Sequence, residues 1–188
     1  MSLDRTTRIV FLNGAGSAGK GSITKALQAI TSEPFLHVAM DAFFEMMPEG
    51  MIGHPDGIVF ETVEDAGKPS VVIRTGAVAD RAFRGMRHAI AAMAAQGNNL
   101  IIDEVLTRPG QAAEYAELLS PFEVFRVGVF APLEVLETRE RRRGDRLIGL
   151  ARWQYDRVHR DMTYDLEIDT SRASPMDCAL LIKQKFRL

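Results

Sequence analysis

Short apolar runs alternate with helical patterns along most of this chain. The first run, residues 9–12, ends at an Asn-Gly pair, and apolar residues then recur at Ile23, Leu27 and Ile30. This order predicts a strand, a tight loop and a helix. Further strands are predicted at 36–40, 100–102, 123–130 and 166–169, and further helices at 79–96 and 132–144. The alternation predicts an α/β fold with a parallel sheet of about five strands and helices on both faces.

Capping residues mark two of the predicted helix starts. Ser174 precedes Pro175 and stands three residues before Asp177, which predicts a capping box at the start of the last helix. Asp145 is predicted to cap the helix that follows the 132–144 segment.

The segment 48–76 differs in amino-acid composition from the residues on either side of it. It is rich in Gly, Pro and Asp, and it contains two short β-type pieces at 58–60 and 71–73. This predicts a hairpin-like insertion. Because the segment is too short to bury a core of its own, residues 1–188 are predicted to form one domain.

Composition narrows the classes of protein. The 188 residues carry 46% hydrophobic side chains, a net charge of −2 and a single cysteine. One cysteine excludes an intrachain disulfide and a cysteine-built metal site, and it fits a reducing cytoplasm. The charge balance gives no sign of nucleic-acid binding, and no run is long enough to cross a membrane. We therefore expect a cytoplasmic protein with neither kind of partner; homo-oligomerisation is left open.

The loop after the first predicted strand has the spacing G-x-x-x-x-G-K. Successive backbone N–H groups at a helix N-terminus bind phosphate oxygens, and a lysine reaches the terminal phosphates of a nucleoside triphosphate. The loop is therefore predicted to bind ATP. Its members are Gly14, Ala15, Gly16, Ser17, Ala18, Gly19, Lys20, Gly21 and Ser22.

One position departs from the usual pattern, which has Ser or Thr directly after the lysine. Here Gly21 intervenes, and Ser22 comes second. The arrangement resembles the Gly-Lys-Gly-Thr form of adenylate kinases. Ser22 is predicted to act on Mg²⁺, either directly or through a bound water.

The same stretch is also a G-x-G-x-x-G, with Asp41 22 residues beyond Gly19. A dinucleotide-binding fold places its ribose-binding acid at this distance, so NAD(P) binding is the rival interpretation. A lysine after the third glycine favours phosphoryl chemistry, and 188 residues leave little room for a second, substrate domain.

Two acids end predicted strands and should meet at one sheet edge. Asp103 is predicted to hold Mg²⁺, with Glu104 as a neighbour able to share this role. Asp41 is predicted to accept the proton of an attacking hydroxyl. The plainer alternative for Asp41 and Asp103 is that each only caps the helix after it, which for Asp41 would begin at Ala42.

Eight arginines lie between positions 139 and 160, a segment predicted to form a lid. Guanidinium groups stabilise the charge that spreads over a transferred phosphoryl group, and Arg139, Arg143 and Arg146 are the candidates. The alternative is a solvated helix face on which Glu137 and Glu140 pair one turn along the helix with Arg141 and the neighbours of Gly144.

Taken in order, these motifs resemble those of the chloramphenicol phosphotransferases. The resemblance rests on residues 9–14 before a Ser-Ala-Gly-Lys loop, on 33–36, on the strand end at Asp41, and on 100–105, 143–146 and 164–170. It implies a three-layer P-loop kinase fold like that of shikimate and adenylate kinases. It also implies ATP-dependent phosphorylation of a primary hydroxyl on the antibiotic, with Asp41 as base, Lys20 on the phosphates and lid arginines above them.

The expected function is therefore an ATP-dependent kinase acting on a hydroxyl of a small molecule. A non-catalytic or regulatory nucleotide-binding protein is the alternative, and it would need the loop and Asp103 but not Asp41.

Overall fold

The computed structural model describes residues 7–144 and 146–188. Asp145, the predicted helix cap, lies outside the described residues. The strands are β1 Arg8–Asn13, β2 Phe35–Ala39, β3 Ile58–Asp65, β4 Lys68–Thr75, β5 Asn99–Glu104, β6 Glu123–Phe130 and β7 Leu166–Asp169. The helices are α1 Lys20–Ile30, α2 Met40–Glu45, α3 Ala77–Ala95, α4 Gln111–Leu118, α5 Leu133–Arg143, α6 Leu150–Tyr155 and α7 Pro175–Phe186, with a short 3₁₀ turn at Glu49–Met51.

Five strands form one parallel sheet in the order β2-β5-β1-β6-β7. This confirms the predicted α/β fold. The strand order places the carboxyl ends of β1, β2 and β5 side by side, so the loop after β1 and the acids after β2 and β5 come to one edge.

Helices cover both faces of the sheet. Along β1, Val10 and Leu12 pack among side chains of α1, α5 and α7, whereas Ile9 and Phe11 pack among those of α3 and α4. All four side chains are buried. Because both faces of this strand are buried, its residues 9–12 are all apolar, and the sequence does not show the alternation of apolar and polar residues that a half-exposed strand would have.

The segment between α2 and α3 contains an antiparallel hairpin of β3 and β4, which forms a separate two-stranded sheet. Its turn uses Ala66 and Gly67, both with positive φ (50° and 75°), as a tight two-residue connection requires. The hairpin is docked on the start of α6 because the N–H of Val71 donates to the carbonyl of Gly149 over 3.0 Å. A side chain at Gly149 would strike the backbone of Pro69, 2.6 Å from the Cβ position.

Ion pairs also tie the hairpin to the helices beside it. Glu137 of α5 accepts from Lys68 of β4 at 3.1 Å and also contacts Arg152 of α6. Arg152 reaches Asp65 on β3 at 3.4 Å. Glu137 therefore pairs across elements, and the alternative in which it pairs with Arg141 on a solvated face is wrong.

Several element boundaries differ from the sequence-based prediction, and one helix was not predicted. The α3 helix begins at Ala77, two residues early, and β2 ends at Ala39 because Met40 already begins α2. The α4 helix was not predicted, since only Tyr115 of its eight residues is buried and an apolar period is missing. In the described part of the chain, no helix combines the length and apolar character needed to cross a membrane.

The capping box at α7 is confirmed and gives a direct test of local stability. Ser174 Oγ accepts from the N–H of Asp177, and the Asp177 carboxylate accepts from the N–H of Ser174. Replacing Ser174 with Ala removes one cap bond, so Ser174→Ala should lower the free energy of unfolding by about 1 kcal/mol. Urea denaturation measures the change. Ser32→Ala, in an exposed position of the turn before β2, should cost less than half as much.

Candidate active site

The loop between β1 and α1 is shaped by close backbone packing. A Cβ at Gly14 would lie 2.4 Å from the carbonyl oxygen of Val129, so no side chain fits there. Gly19 has a φ of 96° and forms the N-cap of α1, a conformation that favours glycine. The glycines at positions 14 and 19 therefore have a steric and a conformational cause.

Lys20 lies inside this loop and is almost fully buried. Its Nζ donates to the carbonyls of Gly14 at 2.7 Å and Ala15 at 3.2 Å, and it lies 3.4 Å from Asp103 Oδ1. A buried ammonium needs such partners, because an unpaired one is strongly destabilised. The loop thus wraps around the cation that the sequence assigns to the phosphates.

Asp103 is the second-last residue of β5 and lies beside Lys20. Burial opposes ionisation of this carboxyl, but the charge of Lys20 and the contact with His37, 3.9 Å away, together lower its pKa. The carboxylate is therefore charged at neutral pH. The next helix, α4, begins only at Gln111, so the alternative that Asp103 is merely a helix cap is wrong.

Glu104 lies on the opposite side of the same strand. Tyr115 donates to its Oε1 over 2.5 Å, and the N–H of Val105 donates to its Oε2 over 3.0 Å. Burial raises the pKa of this carboxyl. Since neighbouring residues of a strand point to opposite faces, Glu104 does not share the position of Asp103, and the period of two predicts this separation.

The residues assigned to Mg²⁺ and phosphate fit these groups chemically. Asp103 offers a carboxylate and Ser22, in the first turn of α1, a hydroxyl; both line one cavity, and Mg²⁺ favours such oxygen ligands. Ser17 adds a buried hydroxyl for which the structure gives no hydrogen-bond partner within residues 7–144 and 146–188. A Cβ at Gly21 would lie 3.8 Å from Asp103 Oδ2, so the glycine leaves space beside that acid.

Two cavities meet at this edge of the sheet. The smaller, of about 670 Å³, is lined by the loop, Asp103 and Arg139. The larger, of about 930 Å³, lies between the hairpin, α2, α3 and the arginine segment. Five residues line both cavities: Met40, Asp41, Val105, Arg143 and Arg146. Three of the predicted site residues therefore stand where the two spaces join.

Asp41 is exposed and lies in the first turn of α2, which begins one residue earlier at Met40 and has Ala39 as its N-cap. The alternative that Asp41 caps a helix starting at Ala42 is therefore wrong. Its carboxylate contacts the guanidinium of Arg146 in an ion pair. The base candidate and one lid arginine are thus in direct contact, 105 residues apart in sequence.

The three predicted arginines occupy different positions. Arg146 reaches Asp41, and Arg143 lines both cavities. Arg139 lines only the smaller cavity, where it donates to the side chain and carbonyl of Thr170 at 2.9 and 2.8 Å. Thr170 in turn donates to the carbonyl of Ala18. Arg139 therefore braces the outer side of the loop, away from the junction.

Sequence reasoning missed the carboxamide of Gln154, which meets the loop at Gly16. It also gave no role to a hydrogen-bonded group formed by Asn13, Tyr164 and His159. Asn13 donates to Tyr164 Oη over 2.8 Å, and Tyr164 Oη lies 2.7 Å from His159 Nδ1. His159 stacks on Phe130 with ring centroids 3.8 Å apart. Asn13 and Tyr164 lie in the segments that carry the family resemblance, but no local pattern predicts their contact with each other or with His159.

Fold and site together define the class. A parallel sheet of order β2-β5-β1-β6-β7, a glycine loop enclosing a lysine and a strand-end carboxylate beside it are the parts of a P-loop phosphotransferase. The chain belongs to the family described as chloramphenicol phosphotransferase-like protein, whose sequence model matches residues 7–187.

Similar proteins agree with this class. A Mycobacterium tuberculosis protein named "Putative O-phosphotransferase" is 30% identical over 174 residues, which cover 90% of this chain and 77% of that protein. The M. tuberculosis APS kinase, solved with AMPPNP and APS, superposes with a TM-score of 0.68 at 14% identity, covering 97% of this chain and 99% of the other. The tunicamycin resistance protein of Deinococcus radiodurans gives 0.61 at 16% identity, with 97% and 96% covered.

Shikimate kinase from Acinetobacter baumannii, in complex with shikimate, gives a TM-score of 0.57 at 14% identity and covers 98% and 94% of the two chains. At such identities the likeness is one of fold. It confirms the predicted P-loop kinase architecture, and with the family match it confirms a phosphotransferase that acts on hydroxyl groups.

The burial of His159 predicts how the free energy of unfolding depends on pH. Burial, and secondly the charge of Lys20, lower the pKa of His159 to about 4. An unfolded histidine has a pKa of about 6.5, so between these values the unfolded state binds a proton that the folded state refuses. The free energy of unfolding should therefore be fully retained above pH 6.5 and fall as the pH drops from there toward 4.

Urea denaturation at pH 7.5 and pH 5.0 measures this loss. His159→Gln keeps a polar side chain that does not titrate, and it should show a smaller loss than the wild type. His88→Gln, on the exposed side of α3, should retain the wild-type loss. An NMR titration of the His159 ring that gives a pKa above 6 would contradict the prediction.

Proposed function

We propose that this protein transfers the γ-phosphoryl group of ATP to a hydroxyl of a small amphipathic molecule. The observation that carries the proposal is the junction of the two cavities at Asp41, Arg143 and Arg146. A phosphoryl donor in the smaller cavity and an alcohol in the larger one would meet at these side chains. Transfer needs this geometry, whereas nucleotide binding alone does not.

In this reaction the hydroxyl oxygen forms a bond to the γ-phosphorus while the bond from that phosphorus to the β–γ bridging oxygen breaks, releasing ADP. Asp41 accepts the hydroxyl proton and orients the oxygen. The loop amides and Lys20 bind the β- and γ-phosphates, and Arg143 and Arg146 stabilise charge on the transferred group. Asp103 and Ser22 would hold Mg²⁺, which when bound neutralises part of the polyphosphate charge.

Arg146 has two roles in this scheme. Before the substrates bind, it pairs with Asp41. When the terminal phosphate arrives, that group competes for the guanidinium, which frees the carboxylate to receive the proton. Arg139 lines the smaller cavity only, where it would bind the polyphosphate of the nucleotide beside Arg143 and Arg146.

The lining of the larger cavity supports a neutral, partly apolar acceptor. It contains five acids and five arginines, so its formal charge is balanced. The remaining wall includes aromatic and aliphatic side chains of the hairpin, α2, α3 and the arginine segment, namely Phe44, Phe60, Ile73, Phe83, Leu147 and Trp153. An uncharged alcohol with an apolar body suits this wall, and chloramphenicol belongs to that chemical class.

An ATP-consumption screen tests the acceptor directly. The panel contains chloramphenicol, nucleosides and shikimate-like acids, each assayed for ADP release and for the phosphorylated product. Neutral amphipathic alcohols should be phosphorylated, and the acids should not. Turnover confined to the charged acids would contradict the proposed acceptor class.

Asp41→Asn tests the base. The amide keeps the size of the side chain but cannot accept the proton, so kcat should fall by about 10² to 10⁴-fold. ATP binding, measured by titration calorimetry, should stay within about threefold, because the loop and Lys20 are untouched. The control, Asp156→Asn at the exposed end of α6, should keep wild-type turnover. Unchanged turnover in Asp41→Asn would show that Asp41 is not the base.

The hairpin wall can be tested separately from the chemistry. Phe60 lines the larger cavity and contacts Phe44, with ring centroids 6.2 Å apart. Phe60→Ser should raise the KM of an apolar alcohol by about tenfold through lost apolar contact, and it should leave the KM of ATP unchanged. Val63→Ser lies on the same strand, is exposed and does not line the cavity. This control should match the wild type, and an equal rise in both variants would disprove the assignment of the wall.

A further inference from the structure

Gln154 joins the nucleotide loop to the acceptor cavity. Its side chain is only 4% exposed and lines the larger cavity, whereas Gly16 lines the smaller one. The N–H of Gly16 donates to Gln154 Oε1 over 2.6 Å. Since a backbone N–H can only donate, this bond also fixes which end of the carboxamide faces the loop.

The approach depends on the missing side chain at Gly16. A Cβ there would lie 3.1 Å from Gln154 Oε1 and 3.8 Å from Arg146 Nη1. Two groups from the arginine segment thus come close to the same point of the loop. One of them, Arg146, also holds Asp41, so the loop, the lid arginine and the base candidate are linked within a few ångströms.

Helix α6 holds Gln154 in place from both ends. At its start, the buried carboxylate of Glu140 accepts from the N–H groups of Gly149 and Ala151 at 2.7 and 2.8 Å. After its end, the carbonyl of Val158 accepts from Asn13 at 2.7 Å, at the last residue of β1. The backbone on both sides of Gln154 is therefore anchored, and the side chain itself is buried. Such restricted movement is the property that a positioning group needs.

We propose that Gln154 is a positioning residue for phosphoryl transfer: its carboxamide fixes Gly16, and with it the loop face next to Arg146 and Asp41. The inference depends on the proposed function for its catalytic consequence, but the bond itself is independent of turnover. Gln154→Met keeps nearly the same side-chain length and lacks the acceptor. Gln154→Glu keeps an acceptor at the same reach. Gln28→Met is the matched control, because Gln28 donates to the carbonyl of Phe35 over 2.8 Å but lines neither cavity.

The first measurement is hydrogen exchange of the Gly16 amide, followed by NMR on ¹⁵N-glycine protein without nucleotide. The amide should be protected in the wild type, in Gln154→Glu and in Gln28→Met, and it should exchange at least tenfold faster in Gln154→Met. Equal protection in Gln154→Met would overturn the proposal. This readout does not need an acceptor substrate.

The second measurement is steady-state kinetics with the best acceptor. Gln154→Met should lower kcat by about 10- to 100-fold while the KM of ATP changes less than threefold, since small displacements of reacting groups cost this much. Its melting temperature should stay close to that of Gln28→Met, which should keep wild-type kcat. A kcat loss shared by both variants, or absent from Gln154→Met, would overturn the positioning role. A wild type without turnover on any alcohol would instead refute the proposed function, and the exchange result would still decide whether the bridge exists.

Discussion

The ammonium group of Lys20 inside the loop is the constraint on which the rest of the site depends. A cation this deep in the protein is destabilised unless fixed partners surround it, and here two loop carbonyls and the carboxylate of Asp103 do so. These partners come from the end of β1 and the end of β5, so the pairing of the two strands and the curvature of the loop are set together. Gly14 and Gly19 permit that curvature, and residues of the loop line the smaller cavity.

The two cavities are built from different parts of the fold. The smaller one is built from the loop, β5 and the ends of α5 and β7, which belong to the sheet framework. The larger one takes much of its wall from the hairpin and α2, which lie outside the main sheet. Only a few side chains belong to both, and the ones that carry charge are Asp41, Arg143 and Arg146. Under the proposed function, phosphoryl transfer at the junction would depend on how α2 and the arginine segment approach each other, and not on the loop alone.

Local sequence patterns predicted the parts of the site that local backbone geometry determines. The loop, Lys20 and Asp103 follow from glycine spacing and from a carboxylate at the end of an apolar strand, and the sheet follows from continuous apolar runs. Glu104 could have been separated from Asp103 by strand periodicity. The pairing of Glu137 with Lys68 and Arg152, and the contact of Gln154 with Gly16 across 138 positions, have no local signal, because they depend on how the hairpin and α6 pack.

The docking of the hairpin has a consequence for how this scaffold can diversify. The hairpin is attached to the helices by the backbone bond from Val71 to Gly149. Its outer half, residues 61–69, is exposed and supplies Lys68 and Asp65, which pair with Glu137 and Arg152. The hairpin side chains that line the larger cavity lie in its inner half instead, at Ile58, Phe60, Ile73 and Thr75. Changes at these positions need not disturb the parallel sheet or the phosphate loop. Under the proposed function, the side chains that select an alcohol and the loop that binds the phosphates would therefore lie in separate stretches of chain, and the first could be remodelled while the second stays intact.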